Sequence, residues 1–186
     1  MTPSRSVLAA GVLSVALVGA NVLVKPRLEA RQTVRAADSV VHGREWQGRV
    51  APALSIASLG GETMATAGPQ ARLRVLVFFG TWNGDATETL LSLQGFATRA
   101  AARRRPLDVL LVNAQESEQV AVDFAHESAP DLPLALDPQG AAMQAFEVRT
   151  LPTVIAIDRD GRVALYHEGP LFNVDVALEP DRKSVV

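Results

Sequence analysis

The stretch VLVFFGTWNGDATETLLSLQGF, residues 75–96, decides the fold of this chain of 186 residues. Its first five residues are all apolar, which is typical of a central strand that is covered on both faces. Asn83 and Asp85 follow, and both residue types favour helix N-termini; Asp85 with Glu88 also has the spacing of a capping box. The sequence therefore predicts a buried strand, a short loop and a helix that ends near residue 104.

Apolar runs and turn signals predict further elements on either side of this stretch. Two short strands flank the Gly60-Gly61 turn, and an Asp-Gly turn at residues 160–161 predicts a closing hairpin. The predicted strands cover residues 53–56, 64–66, 73–79, 107–112, 134–136, 153–158 and 162–167, and the other helices cover residues 117–126 and 139–146. This order predicts a three-layer α/β domain in which helices flank a mixed sheet.

The N-terminal segment has the character of a membrane anchor. Residues 7–24, VLAAGVLSVALVGANVLV, carry no charge and show no polar face. As a helix they would be about 27 Å long, close to the roughly 30 Å hydrocarbon core of a bilayer. Small residues at 18–20 would suit a signal peptidase. The apolar run continues beyond them, however, which favours an uncleaved transmembrane helix in contact with membrane lipid.

The chain accordingly divides into five parts. They are an N-terminal tail (1–6), the transmembrane anchor (7–24), a polar juxtamembrane stalk (25–47), a globular domain (48–170) and a C-terminal tail (171–186). Trp46 in the stalk would be either an interfacial anchor or a packing residue. Leu171, Val174, Val176 and Leu178 in the tail would pack either on the domain or on a partner.

Composition excludes several classes of function. The chain has no cysteine, which removes disulfide frameworks, thiolate metal sites and cysteine nucleophiles. A net charge of −2 and an aromatic content of 5% offer neither a basic field nor a stacking platform, so we predict no nucleic-acid partner. His42, His126 and His167 lack the spacing of helical metal ligands. We predict neither a metal nor a cofactor.

Five segments of the domain, taken in order, resemble a known family. Residues 75–96 match a strand, an aromatic turn that ends in Trp, and a helix start; the other segments are 48–52 (GRVAP), 137–140 (DPQG), 148–153 (VRTLPT) and 157–163 (IDRDGRV). Together they resemble the thioredoxin fold, specifically the membrane-anchored thioredoxin-like proteins related to TlpA, ResA and alkyl hydroperoxide reductase. The resemblance covers about residues 48–170. It implies a cis-proline at Leu151-Pro152 and a groove beside it that receives an extended peptide.

The chain departs from that family at the site of its chemistry. Where the family has Trp-Cys-x-x-Cys, Trp82 is followed by Asn83 and Ala86 at the two cysteine positions. Thiol–disulfide exchange and peroxidase chemistry both begin from a cysteine thiolate, so we predict that the chain is not an enzyme. The predicted site is the degenerate active-site loop, formed by Trp82, Asn83, Gly84, Asp85, Ala86, Leu151 and Pro152. It is either an ordinary helix start that remains after loss of the redox site, which the capping residues favour, or a docking surface for a chain or a small ligand.

These observations predict a non-catalytic, membrane-tethered thioredoxin-like module that binds protein as an accessory or assembly subunit of a membrane complex. The alternative is a chaperone or binding domain that holds a peptide or small molecule in the old groove. The basic stalk favours the cytoplasmic side of the membrane, whereas the resemblance implies a periplasmic or extracytoplasmic domain. We predict the latter, since long domains translocate despite moderate flanking charge.

Overall fold

The central strand of the sheet is buried along its whole length. The computed structural model describes residues 43–105 and 107–178, and all six residues of this strand, Arg74–Phe79, are buried in it. The strands are β1 (Ser55–Ala57), β2 (Thr63–Ala65), β3 (Arg74–Phe79), β4 (Asp108–Ala114), β5 (Leu134–Asp137), β6 (Thr153–Ile157) and β7 (Val163–Glu168). The helices are α1 (Gly84–Ala102), α2 (Glu118–Ser128), α3 (Ala141–Ala145) and α4 (Val174–Leu178).

The predicted mixed sheet, flanked by helices, is confirmed. Its strand order is β5-β4-β3-β6-β7; β3, β4 and β5 run parallel, whereas β6 and β7 pair antiparallel. The first two strands form a separate two-stranded sheet. Strand β4 begins one residue later than predicted and ends two residues later, because Asn113 and Ala114 still pair with β5. A polar residue such as Asn113 ends an apolar run in the sequence without ending the strand.

Side chains of β3 alternate between two hydrophobic cores, as the period of a strand requires. Val75, Val77 and Phe79 face one core together with the buried sides of α1 and α2. Leu76 and Phe78 face the other core, on the side of the sheet that α3 covers. Burial on both faces explains why this strand is an unbroken apolar run rather than an alternating one.

The segment after β7 packs on the domain. Leu171, Val174 and Leu178 are 7%, 0% and 4% exposed and join the core beneath α1. Arg99 of α1 also forms an ion pair of 2.5 Å with Asp175, which joins α4 to that helix. These three tail residues therefore belong to the globular unit, whereas Val176 is 80% exposed and does not pack on it.

Trp46 also packs on the domain, although the sequence places it in the stalk. Its indole is 2% exposed and stacks on Tyr166, with ring centroids 5.5 Å apart and planes inclined by 14°. The Arg49 guanidinium also lies over the indole ring, 4.1 Å from its centroid. Of the two roles left open by the sequence, the structure selects the packing role for Trp46.

The predicted anchor, residues 7–24, lies outside the described residues, as do the N-terminal tail, residues 25–42 of the stalk and residues 179–186. Within residues 43–105 and 107–178, no helix is both long enough and apolar enough to cross a bilayer.

The two tryptophans offer a matched test of this packing. We expect Trp46→Ala to lower the free energy of unfolding by about 3–5 kcal/mol, the usual cost of truncating a buried aromatic side chain. Trp82→Ala should cost less than about 1 kcal/mol, because Trp82 is 69% exposed. Urea unfolding of the full-length chain in detergent, followed by far-UV circular dichroism, measures both. Equal losses in the two variants would contradict the packing role of Trp46.

Candidate functional site

The candidate site lies at the carboxyl end of β3, where the chain turns into α1. This edge of a sheet with parallel strands is where α/β proteins usually bind their ligands. Trp82 projects from the turn with 69% of its surface exposed. Its ring lies over Gly80, where a Cβ atom would come within 2.6 Å of the indole Nε1. The glycine therefore permits the position that the exposed ring adopts.

Asn83 makes two hydrogen bonds that organise the loop. It is the N-cap of α1, and its side-chain oxygen accepts a hydrogen bond of 2.9 Å from the backbone N–H of Asp85. Its amide nitrogen donates to the carbonyl oxygen of Leu151. The sequence left both Asn83 and Asp85 as cap candidates; the structure selects Asn83. Asp85 lies in the first turn, where its charge favours the helix dipole.

The rest of the predicted loop divides between surface and core. Gly84 and Asp85 are exposed, whereas Ala86 at the second cysteine position is 0% exposed. Leu151 and Pro152 are buried and joined by the predicted cis peptide bond. The fold thus brings the two halves of the predicted site together through the bond between Asn83 and Leu151. Trp82 is the large side chain that the site presents to solvent.

Glu116 is a site residue that the sequence did not reveal. The backbone N–H of Thr81 donates to its carboxylate at 2.8 Å, the Thr81 hydroxyl at 2.6 Å and the buried Asn113 amide at 2.7 Å. Burial alone would raise the pKa of Glu116, but these hydrogen bonds outweigh it and hold the pKa below its usual value. The carboxylate thereby ties the loop that carries Trp82 to the end of β4.

Only a contact between distant segments identifies Glu116, because 35 residues separate it from Thr81. In the sequence it is one of two acidic residues near the start of a helix, which suits the helix dipole. The structure separates their positions: Glu118 begins α2, and Glu116 precedes the Ser117 N-cap. No local pattern distinguishes a carboxylate with three donors from a solvated one.

The histidines do not form a site in the described part of the chain. His126 lies exposed on α2, and a ring nitrogen of His167 is 3.1 Å from the carbonyl oxygen of Pro170. His42 lies outside the described residues. Among residues 43–105 and 107–178, no group of three histidine, aspartate or glutamate side chains is arranged to hold a metal ion.

Substitutions at Asn83 test how much its two hydrogen bonds contribute to stability. We expect Asn83→Ala to lower the free energy of unfolding by about 1–2 kcal/mol, because it removes the helix cap and the donor to Leu151. Asn83→Ser retains an oxygen that can cap the helix and should lose less. Urea denaturation of both variants measures the difference. An alanine variant as stable as the wild type would show that neither bond contributes.

The lowered pKa of Glu116 predicts a defined pH dependence. Its ionised form stabilises the native state above the ordinary value of 4.5, and this contribution is lost as the pH falls through the lower native value. Glu116→Gln should therefore be less stable than the wild type at pH 7, and the difference should shrink below about pH 4. Glu118→Gln, which removes an exposed carboxylate of α2, is the control. A stability difference that grows toward acid pH would contradict this role.

Comparison with known proteins identifies the family and the fold of this chain. A family model described as Redoxin matches residues 47–177. Sporulation thiol-disulfide oxidoreductase A of Bacillus subtilis (strain 168) is 26% identical over 98 residues, which are 52% of this chain and 59% of that protein. The match thus spans less than two thirds of the length of that curated relative.

Two solved structures show the same fold. StoA from Bacillus subtilis has 20% identity and a TM-score of 0.58, covering 69% of this chain and 97% of that one. A secreted disulfide oxidoreductase of Mycobacterium tuberculosis, homologous to E. coli DsbE, has 16% identity and a TM-score of 0.55, covering 67% of this chain and 91% of that one. With the matched family model, they identify this chain as a member of the redoxin family with a thioredoxin-like fold and no cysteine at either active-site position.

Proposed function

We propose that this chain is a non-catalytic redoxin domain that acts by binding another protein, as an accessory or assembly subunit of a membrane complex. One observation carries the proposal: the two cysteine positions hold Asn83 and Ala86, and the whole chain contains no sulfur nucleophile. Thiol–disulfide exchange requires a thiolate that attacks a disulfide sulfur, so the chemistry in the relatives' names has no reacting atom here.

The residues at the two former cysteine positions, Asn83 and Ala86, both contribute to the structure of the loop. Asn83 caps α1 and holds Leu151, while Ala86 fills a fully buried position with a methyl group. The loop therefore keeps a fixed shape through hydrogen bonds that require no cysteine. A loop held in this way, without reacting groups, supports a binding role better than a catalytic one.

Trp82 is the residue on which we expect a partner to dock. Tryptophan is enriched among the residues that dominate protein–protein binding, because it buries a large rigid surface at a low cost in side-chain entropy. Here Trp82 is 69% exposed at the carboxyl end of β3, and hydrogen bonds that involve Glu116 and Asn83 fix the loop that carries it. A preorganised loop loses less entropy on binding than a mobile one.

We propose that the domain lies on the extracytoplasmic side of a membrane and is tethered to it by residues 7–24. The word "secreted" in the description of the Mycobacterium tuberculosis protein supports this side. The four basic residues that follow the predicted span support the opposite side, but long domains translocate largely regardless of such charges.

A second candidate is the capture of a peptide or small molecule in the old groove. The exposure of Trp82 beside the Leu151-Pro152 turn favours it. The bond from Asn83 to the Leu151 carbonyl counts against it, because that oxygen is already engaged within the chain. We therefore rank this function below a protein partner.

Two measurements on one preparation test the proposal. We expect the tagged full-length chain, extracted from membranes in mild detergent, to co-purify with a partner at a fixed stoichiometry. Trp82→Ala should weaken that association about tenfold or more, whereas Leu91→Ala, which truncates another exposed apolar residue, should not. The same chain should not accelerate the reduction of insulin by dithiothreitol.

The double variant Asn83→Cys/Ala86→Cys is the control for the redox assay, since it restores sulfur at both positions. Reductase activity in the wild type would overturn the non-catalytic assignment. A chain that purifies as a lone monomer would overturn the subunit assignment. A bound peptide lost from Trp82→Ala while the complex stays intact would favour the second candidate.

A further inference from the structure

Residues 83 and 84 form the only asparagine–glycine pair in the chain. The other asparagines, Asn21, Asn113 and Asn173, are followed by valine or alanine. Asparagine is a thermolabile residue. Its side-chain amide is lost most readily when glycine follows, because glycine has no Cβ atom to hinder attack by its own backbone nitrogen. The loop before α1 therefore carries a reactive amide at the first of the two former cysteine positions.

The loss of this amide consumes only water. The backbone nitrogen of Gly84 attacks the side-chain carbonyl carbon of Asn83, a C–N bond forms, and the amide nitrogen leaves as ammonia with the proton that Gly84 gives up. The cyclic imide then adds water at either of its carbonyl carbons and opens. One opening gives aspartate, and the other gives isoaspartate, in which the backbone runs through the side-chain carbon.

Gly84 lies where this reaction can occur and where the backbone does not require a glycine. It is exposed, and as the first residue of α1 it has an N–H group without a carbonyl partner inside the helix. Its φ lies outside the left-handed region, and an added Cβ atom would meet no heavy atom within 4 Å. Alanine would therefore fit at this position, which provides a variant that blocks the attack without disturbing the fold.

The native contacts of Asn83 restrain the reaction. Its side-chain oxygen accepts a hydrogen bond of 2.9 Å from the N–H of Asp85, and its amide nitrogen donates to the Leu151 carbonyl. Its backbone carbonyl accepts a hydrogen bond of 3.0 Å from the N–H of Ala86. The amide carbon reaches the nitrogen of Gly84 only if the side chain turns away from these partners. Ring closure thus requires a local opening of the loop, and the cost of that opening slows it.

We propose that Asn83 is a site of slow, spontaneous deamidation that its own hydrogen bonds hold back, and that the reaction disconnects the loop from Leu151. Aspartate at this position still offers an oxygen to cap α1. It has lost the N–H donor, however, and its carboxylate faces the Leu151 carbonyl oxygen with a like partial charge. Isoaspartate in addition inserts a backbone carbon at the start of α1. Both products therefore lose the bond that joins the two halves of the loop.

Peptide mapping by mass spectrometry tests the site on the full-length chain, incubated in detergent at mildly alkaline pH with and without urea. We expect Asn83 to be converted to both aspartate and isoaspartate, with ammonia released. The native chain should react about tenfold or more slowly than the unfolded chain, because the hydrogen bonds of Asn83 must open first. Asn173, which is exposed but precedes valine, is the internal control and should stay intact over the same period.

Gly84→Ala is the variant that tests the route. It should keep the native circular dichroism spectrum and slow the conversion of Asn83 about tenfold or more in both the folded and the unfolded chain, because its Cβ atom hinders the attacking nitrogen. An unchanged rate in the unfolded variant would overturn the imide route, whether or not the variant folds.

Asn83→Asp tests the consequence for the loop, since it reproduces one of the two products. Hydrogen exchange of the backbone amides of residues 81–85 should be about tenfold faster than in the wild type, because the bond to Leu151 is missing. Asn173→Asp, which adds a carboxylate at an exposed position outside the loop, should leave their exchange unchanged. Equal exchange in Asn83→Asp and the wild type would overturn the disconnection.

The wild-type rates decide the remaining points. Equal rates in the native and the unfolded chain would show that the hydrogen bonds do not restrain Asn83. A native chain that keeps Asn83 intact while the unfolded chain is converted many times over would overturn the site in the folded protein. Conversion of Asn173 as fast as that of Asn83 would overturn the role of Gly84.

Discussion

Burial of β3 on both faces is the constraint from which the rest of the structure follows. Val75, Val77 and Phe79 are removed from water on one side, and Leu76 and Phe78 on the other, each contributing about 1.5–3 kcal/mol of hydrophobic stabilisation. A strand of this kind must lie at the centre of a sheet with a layer of structure on each face. Its two ends are therefore the places where polar groups can collect.

The two ends of β3 carry different polar groups. At the carboxyl end, the Glu116 carboxylate has three hydrogen-bond donors, and Asn83 uses both its acceptor and its donor. At the amino end, Arg74 is buried with an unpartnered nitrogen. The hydrogen bonds at the carboxyl end fix the loop that carries Trp82.

Several parts of the fold could be predicted because their signals are local. An unbroken apolar run specifies β3, a capping residue before an amphipathic stretch specifies α1, and the Leu151-Pro152 turn was expected from the family resemblance. Glu116 and Trp46 could not be placed in this way. The partners of Glu116 lie on another loop, and the stacking of Trp46 on Tyr166 joins residues far apart in the chain.

The sequence by itself determined the mixed α/β architecture, the family and the absence of sulfur at positions 83 and 86. These properties depend on residue identity and on patterns with the period of a strand or a helix, both of which are local. Only the tertiary structure decided that Asn83 reaches Leu151, that Glu116 holds the Trp82 loop, and that Arg74 is buried without a full set of partners. Each of these depends on which distant groups meet and on how much water is excluded where they meet, and no pattern along the chain encodes that.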